Sequence, residues 1–225
     1  MIADPVRIPV ALPAGETEVS GLWSLAPHAR ATVALAHGAG AGMTHPFLEG
    51  LAAGLGDAGV SVLRFVFPYV EAGRRMPGPA AQAVATWAGV QAWLVGAGAG
   101  PFVAAGKSYG GRMASVATAE GALSPLALVY LGYPLHAPGR PDKPRAEHLP
   151  AITVPQLFVE GENDPFIHPR VQFEEVVSTC HDAHVHWVPD ANHSFEVKGK
   201  RRPADDIGAG LAPVVAEFVR GLKVV

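Results

Sequence analysis

Gly106-Lys107-Ser108-Tyr109-Gly110 sets a serine midway between two glycines. A serine hydroxyl is a weak nucleophile at neutral pH. It attacks a carbonyl only when a neighbouring base takes its proton and a third group orients that base. The glycines serve geometry. Lacking a Cβ, they let strand and helix approach closely, so the serine can occupy a strained turn that exposes its hydroxyl. With 8 serines and 26 glycines in 225 residues, a G-x-S-x-G match arises by chance in roughly one such chain in ten. The setting therefore has to carry the reading. The apolar run Phe102-Val103-Ala104-Ala105 precedes the motif and the small-residue stretch Arg112 to Glu120 follows it. That is strand, sharp turn, helix, with free N–H groups and a partial positive charge at the helix start.

Two phosphate-binding readings of the same glycines fail. A P-loop needs a glycine where Pro101 stands. A dinucleotide fingerprint beginning at Gly38 or Gly96 would need its third glycine at Met43 or Pro101.

The base is sought among histidines, whose ordinary pKa lies near neutrality. His37 and His193 both follow predicted strands. His193, in Asn192-His193-Ser194-Phe195 after the last strand, is the candidate base; otherwise it is a loop histidine bonded to backbone. The orienting carboxylate is expected after the strand between serine and histidine. Asp164, in Gly161-Glu162-Asn163-Asp164-Pro165, fits, with Glu162 and Asp190 as rivals. The order Ser108, Asp164, His193 is the one expected for a nucleophile on a strand–turn–helix elbow. A developing oxyanion needs fixed N–H donors. The Tyr109 backbone supplies one, and Ala39, with Gly40 close behind, supplies the second from the loop His37-Gly38-Ala39-Gly40-Ala41-Gly42.

These residues need a frame. Val6–Leu12 and Glu18–Leu25 predict an antiparallel hairpin around Pro13-Ala14-Gly15. Apolar runs at 31–36, 60–65, 102–105, 126–131, 156–159 and 184–188 predict strands. Helical spacing marks 47–58, 80–95, 112–120, 169–180 and 203–222. The alternation predicts an α/β fold: a mainly parallel, twisted sheet of about 7–8 strands with helices on both faces. Loops at the carboxyl ends of the strands then hold the site. Residues 132–150, with Pro134, Pro138, Pro141, Pro144 and Pro150, predict a short insertion over the site edge within a single domain spanning 1–225.

Apolar residues make up 49% and charged residues 16%, which suits a folded globular chain. A net charge of −3, with no sustained basic stripe, gives no reason to expect nucleic acid. No apolar run is long enough to cross a membrane, and no signal peptide is expected. The single cysteine, Cys180, allows no internal disulfide and is read as a small core residue; a cytoplasmic setting is expected. His184 and His186 share a strand face without a carboxylate or cysteine at ligand spacing, so neither a metal nor a cofactor is expected.

His37-Gly38-Ala39-Gly40, Gly106-Lys107-Ser108-Tyr109-Gly110-Gly111, Gly132-Tyr133-Pro134, Gly161-Glu162-Asn163-Asp164-Pro165-Phe166 and Asn192-His193 together resemble the α/β-hydrolase superfamily. The resemblance runs from about residue 20 to the C-terminus. Arg64-Phe65-Val66-Phe67-Pro68-Tyr69 and Gly132-Tyr133-Pro134-Leu135-His136 are most similar to its small dienelactone-hydrolase-like branch, which includes the testis-expressed-protein-30-like hydrolases. The resemblance implies the α/β-hydrolase fold without a full cap domain. It also implies a carboxylesterase-like serine hydrolase acting on esters, amides or thioesters through an acyl-enzyme. Dienelactone hydrolases proper carry a cysteine nucleophile where this chain has Ser108, so that lactone substrate is not implied. Some relatives with this fold are scaffold-like, which leaves a non-catalytic interaction protein as one alternative; an acyltransferase using the same residues is another.

The expected partner is a small acyl substrate, and the chain is expected as a monomer or homodimer. Met43, Tyr69, Leu135, Phe166 and Phe195 are candidate apolar walls for that substrate. Arg74 and Arg75 could reach an acidic group of the substrate or be solvated. Lys107 is expected to point away from the serine in a structural role. Lys198, Lys200, Arg201 and Arg202 are expected to form a solvated loop.

Overall fold

The computed structural model describes residues 2–27, 29 and 31–222. β1 (Asp4–Leu12) and β2 (Gly15–Ser24) form the antiparallel hairpin expected from their alternating sequence. β2 pairs antiparallel with β4 (Val60–Phe65). All further strand pairings within the sheet are parallel. β4 lies on β3 (Ala31–Ala36), β3 on β5 (Phe102–Lys107), and β6 (Ala127–Leu131), β7 (Gln156–Gly161) and β8 (Ala183–Val188) continue the sheet. The eight-stranded order is β1-β2-β4-β3-β5-β6-β7-β8.

Helices cover both faces, as the uninterrupted apolar strands require. α1 (Pro46–Asp57) and α6 (Ala204–Gly221) pack on one face. Their Leu51, Leu55, Leu211 and Val215 meet Val33, Leu35, Val60 and Val62. α3 (Ala80–Gly96), α4 (Tyr109–Ala119) and α5 (Arg170–Ser178) pack on the other. There Trp87, Val90 and Met113 cluster with Ala34, Ala36, Leu63 and Phe65, while Phe173 packs on Phe158 and Trp187. Each fully buried Leu or Val contributes about 1.5–3 kcal/mol, whereas an exposed ion pair contributes about 1 kcal/mol or less. The two apolar layers, rather than surface pairs such as Arg7–Glu71, hold the frame rigid.

Two local features differ from the sequence-based expectation. Pro68–Glu71 forms one helical turn, α2, where only loop is predicted. Proline at its first position loses no hydrogen bond, and Tyr69, 2% exposed, anchors the turn in the core. The elbow helix also begins at Tyr109 rather than Arg112, because the Ser108 carbonyl already accepts from Arg112 N–H at 3.1 Å. Residues 132–150 carry no cap or lid domain; this stretch leads into a single 3-10 turn at Leu149–Ala151. No described helix is long and apolar enough to cross a membrane.

The chain order reverses between β3 and β5, which lie side by side although one continues to β4 on its left and the other to β6 on its right. A crevice forms at such a switch point, outside the carboxyl ends of the strands. The loop 37–42 leaves β3 there and Ser108 leaves β5 there.

Candidate active site

Ser108 follows β5 directly and stands at the N-cap position of α4, with φ 48° and ψ −112°. A residue with a Cβ avoids this region, so the conformation is held by its surroundings. Ser108 N–H donates to Leu131 O at 3.1 Å, which ties the turn to β6. The flanking glycines leave no room for a side chain. A Cβ on Gly106 would collide with the Gly111 backbone, and one on Gly110 with the carbonyl of His37.

Asp164, in the turn after β7, and His193, in the loop after β8, meet at this serine. Ser108 Oγ lies 2.9 Å from His193 Nε2, and His193 Nδ1 lies 2.6 Å from Asp164 Oδ2. Asp164 accepts a second hydrogen bond at Oδ1 from Phe166 N–H at 2.8 Å. Its side chain is fully buried and that of His193 is 19% exposed. A carboxylate on Nδ1 holds the proton there and leaves Nε2 free to accept from the serine. Burial lowers the His193 pKa below its ordinary value, opposed by the hydrogen bond that the ring donates to Asp164; nearby Lys107 lowers it further. The neutral, proton-accepting ring is thus favoured at neutral pH. Phe166 stacks on the imidazole with ring centroids 4.1 Å apart, shielding one face.

The loop carrying His193 is tied down. Asn192 Oδ1 accepts from Ser194 and Glu196 N–H groups at 2.8 and 3.0 Å. Lys107 Nζ donates to His193 O at 2.8 Å. Lys107 therefore turns toward the histidine loop, where it has the structural role expected of it, and it also lines the cleft. Burial lowers its pKa to about 8 against the pull of Asp164 and Glu160. Glu160, fully buried in β7, accepts from Tyr133 N–H at 2.6 Å, and burial pushes its carboxyl well up.

His37 takes the other role open to a histidine at a strand end. Its Nε2 accepts from Phe67 N–H at 3.2 Å, so its Nδ1 donates to Gly38 O at 2.7 Å. Burial lowers its pKa, so the ring stays neutral and pins the loop 38–42. Ala39 on this loop and Tyr109 on α4 face the cleft. Among the described residues, neither of their N–H groups has an acceptor within the protein. Gly40, with φ 76°, is exposed and is not on the cleft wall.

The cleft holds about 530 Å³. Of the five predicted apolar walls, only Phe166 lines it. Tyr69 and Leu135 are spent on the core, at 2% and 0% exposed. Phe195, 4% exposed, stacks on Phe47 behind the site, and Met43 packs on the core while its carbonyl accepts from Arg64. The walls are formed by Phe47, Leu48, Pro134 and Ile207 instead. Arg74 and Arg75 are exposed and lie outside the cleft. Two other arginines, Arg112 and Arg145, line it. Arg112 had a signal in the sequence, standing one helical turn after Ser108. Arg145 had none; its proline-rich surroundings predict no fixed side-chain direction. Among the described residues no cluster of three or more His, Cys, Asp or Glu could hold a metal.

The fold recurs in solved structures. A dienelactone hydrolase from Anabaena variabilis is 21% identical with TM-score 0.73, over 99% of this chain and 100% of that one. The esterase domain of a Rhodothermus marinus protein is 15% identical with TM-score 0.73, over 99% of each chain. A lidless α/β serine hydrolase from Xanthomonas campestris is 19% identical with TM-score 0.69, over 98% of this chain and 97% of that one. At these identities the likeness establishes the fold alone. A family model described as an alpha/beta hydrolase domain matches residues 29–219, a span that holds the serine elbow, the turn of Asp164 and the loop of His193. With the sheet order and the switch-point crevice, that match makes this chain a member of the α/β-hydrolase family.

Proposed function

We propose that this protein is a serine hydrolase that cleaves a carboxylic ester, or a related amide or thioester, through an acyl-enzyme. The observation that carries the reading is the unbroken series of hydrogen bonds from Ser108 through His193 to buried Asp164. Ser108 Oγ attacks the carbonyl carbon while its proton passes to His193 Nε2. The C=O electron pair moves to oxygen, and the N–H groups of Ala39 and Tyr109 receive the resulting oxyanion. Collapse breaks the bond to the leaving group, which takes the proton from His193. Water then repeats the sequence on the acyl-serine and releases the acid. Asp164 keeps the imidazole in one tautomer and stabilises its charged form without itself taking the proton.

The open cleft and the absence of a lid domain favour a small substrate that enters from solvent. We place the protein in the cytoplasm, with residues 1–225 acting as one catalytic unit; the single cysteine, half-buried Cys180, supports a reducing setting. The test is steady-state hydrolysis of short-chain 4-nitrophenyl esters by the wild type and Ser108→Ala. The reading expects turnover by the wild type and a fall of about 10³-fold or more in the variant. Equal rates for the two would overturn it.

A further inference from the structure

Arg112 and Arg145 reach one cleft from unrelated elements. Arg112 stands four residues after Ser108 on α4, on the same helix face. Helical side chains lean toward the helix N-terminus, which here is the serine end. Arg145 comes from the proline-rich excursion after β6, and its backbone is fixed at both polar atoms. Its N–H donates to Leu135 O at 2.7 Å, and its carbonyl accepts from the buried Tyr133 hydroxyl at 2.7 Å. The two side chains also form the border with an adjoining polar recess that carries Arg140, Lys143, His148 and one carboxylate, the exposed Glu147, which pairs with neither of them.

Neither guanidinium is neutralised. Among the described residues, no carboxylate lies within ion-pair distance of Arg112 or Arg145, although Arg7, Arg64, Arg140 and Arg170 all have one. Arg112 Nε is buried without a partner. Burial lowers the Arg112 pKa, and the positive charge of Arg145 acts in the same direction. Glu196, the carboxylate on the cleft wall, accepts from Asn192 Nδ2 at 3.1 Å on the histidine side. Two half-buried, mutually repelling guanidiniums without a counter-ion are costly unless a ligand supplies the negative charge. Arginine forks match the oxygens of carboxylates and phosphates.

We propose that Arg112 and Arg145 form an anion subsite beside Ser108, so that the substrate is an ester bearing a second, ionised oxygen group, a carboxylate or a phosphate, a few bonds from the scissile carbonyl. The excursion 132–150 then has the task of presenting Arg145 to that group. The substrate class rests on the hydrolase reading above, whereas the anion subsite can be measured without turnover.

The test compares kcat/KM for ethyl hydrogen glutarate and for ethyl pentanoate, in which a methyl replaces the free carboxylate. It uses the wild type, Arg112→Gln, Arg145→Gln and, as a control outside the cleft, Arg74→Gln. The wild type should favour the anionic ester. The ratio should fall by about tenfold or more in each cleft variant and hold in Arg74→Gln. Titration calorimetry with glutarate and with inorganic phosphate supplies the second readout and tells the two oxygen groups apart. Binding of either that is lost in both cleft variants supports the subsite even where no ester turns over, an outcome that would remove the hydrolase reading alone. Turnover of both esters with no preference, together with no binding of either anion, would overturn the subsite and leave the hydrolase reading standing.

Discussion

Lys107 Nζ lies 2.8 Å from the carbonyl oxygen of His193, a bond between the residue before the serine and the backbone of the histidine. The two sides of the candidate site, which come from β5 and from the loop after β8, are thus joined by one half-buried ammonium. Lys107→Met keeps most of the side-chain bulk and removes this bond. Because small misplacements of a reacting group are costly, kcat for a neutral short-chain ester should fall by about tenfold to a hundredfold, with KM changed much less. Unchanged kcat in a folded variant would show that the histidine loop holds itself.

The same lysine makes stability depend on pH. Its folded pKa is lowered to about 8 from an ordinary 10.5. Between these values the unfolded chain holds a proton that the folded chain has released, so this group's contribution to stability rises with pH across that window. The difference in Tm between wild type and Lys107→Met should move in favour of the wild type from pH 7.5 to 9.5. A difference that is flat with pH would contradict the partial desolvation of Lys107.

Activity should have an acid limb. His193 accepts a proton only when neutral, and its pKa is lowered below the ordinary 6.5. kcat/KM should therefore rise with pH through a value below 6.5 and reach a plateau by neutrality. Asp164→Asn removes the group that fixes the tautomer and should cost about 10⁴-fold in kcat. A limb centred well above 6.5 in the wild type would argue against the buried, Asp164-bonded histidine as the base.

Gly110→Ala tests the elbow as a packing element. The added Cβ would meet the Ala36 side chain at the end of β3 and the carbonyl of His37 just after it, both residues fully buried. Neither can retreat, so the variant should lose about 1–3 kcal/mol or more, read as a drop in Tm or in denaturant midpoint. Near-wild-type stability would mean that β3 and α4 are less closely packed than described.

The frame was legible because its signals are local. Continuous apolar runs such as Ala31–Ala36 and Leu126–Leu131 can be satisfied only by strands covered on both faces, and the structure buries them in that way. Ser108, Asp164 and His193 each follow a strand end, and one rule of open parallel sheets directed attention to all three. The cleft walls were not legible. Leu135, Tyr69 and Phe195 have the right chemistry for lining a pocket, but the same chemistry suits a core, and position in three dimensions decides between them. The tie of Lys107 to the histidine loop and the place of Arg145 were not legible for a related reason. Their directions depend on partners 86 residues away and on a hydrogen bond from Tyr133, neither of which leaves a periodic trace in the sequence.

The most direct measurement is intact mass after treatment with a fluorophosphonate, on wild type, Ser108→Ala and His193→Ala. A serine hydroxyl forms a stable adduct with this reagent only when a base has activated it. The account predicts one adduct on the wild type, none on Ser108→Ala and strongly slowed labelling of His193→Ala. Folded wild-type protein that takes up no adduct would contradict the account, because it would show that Ser108 is not activated by His193.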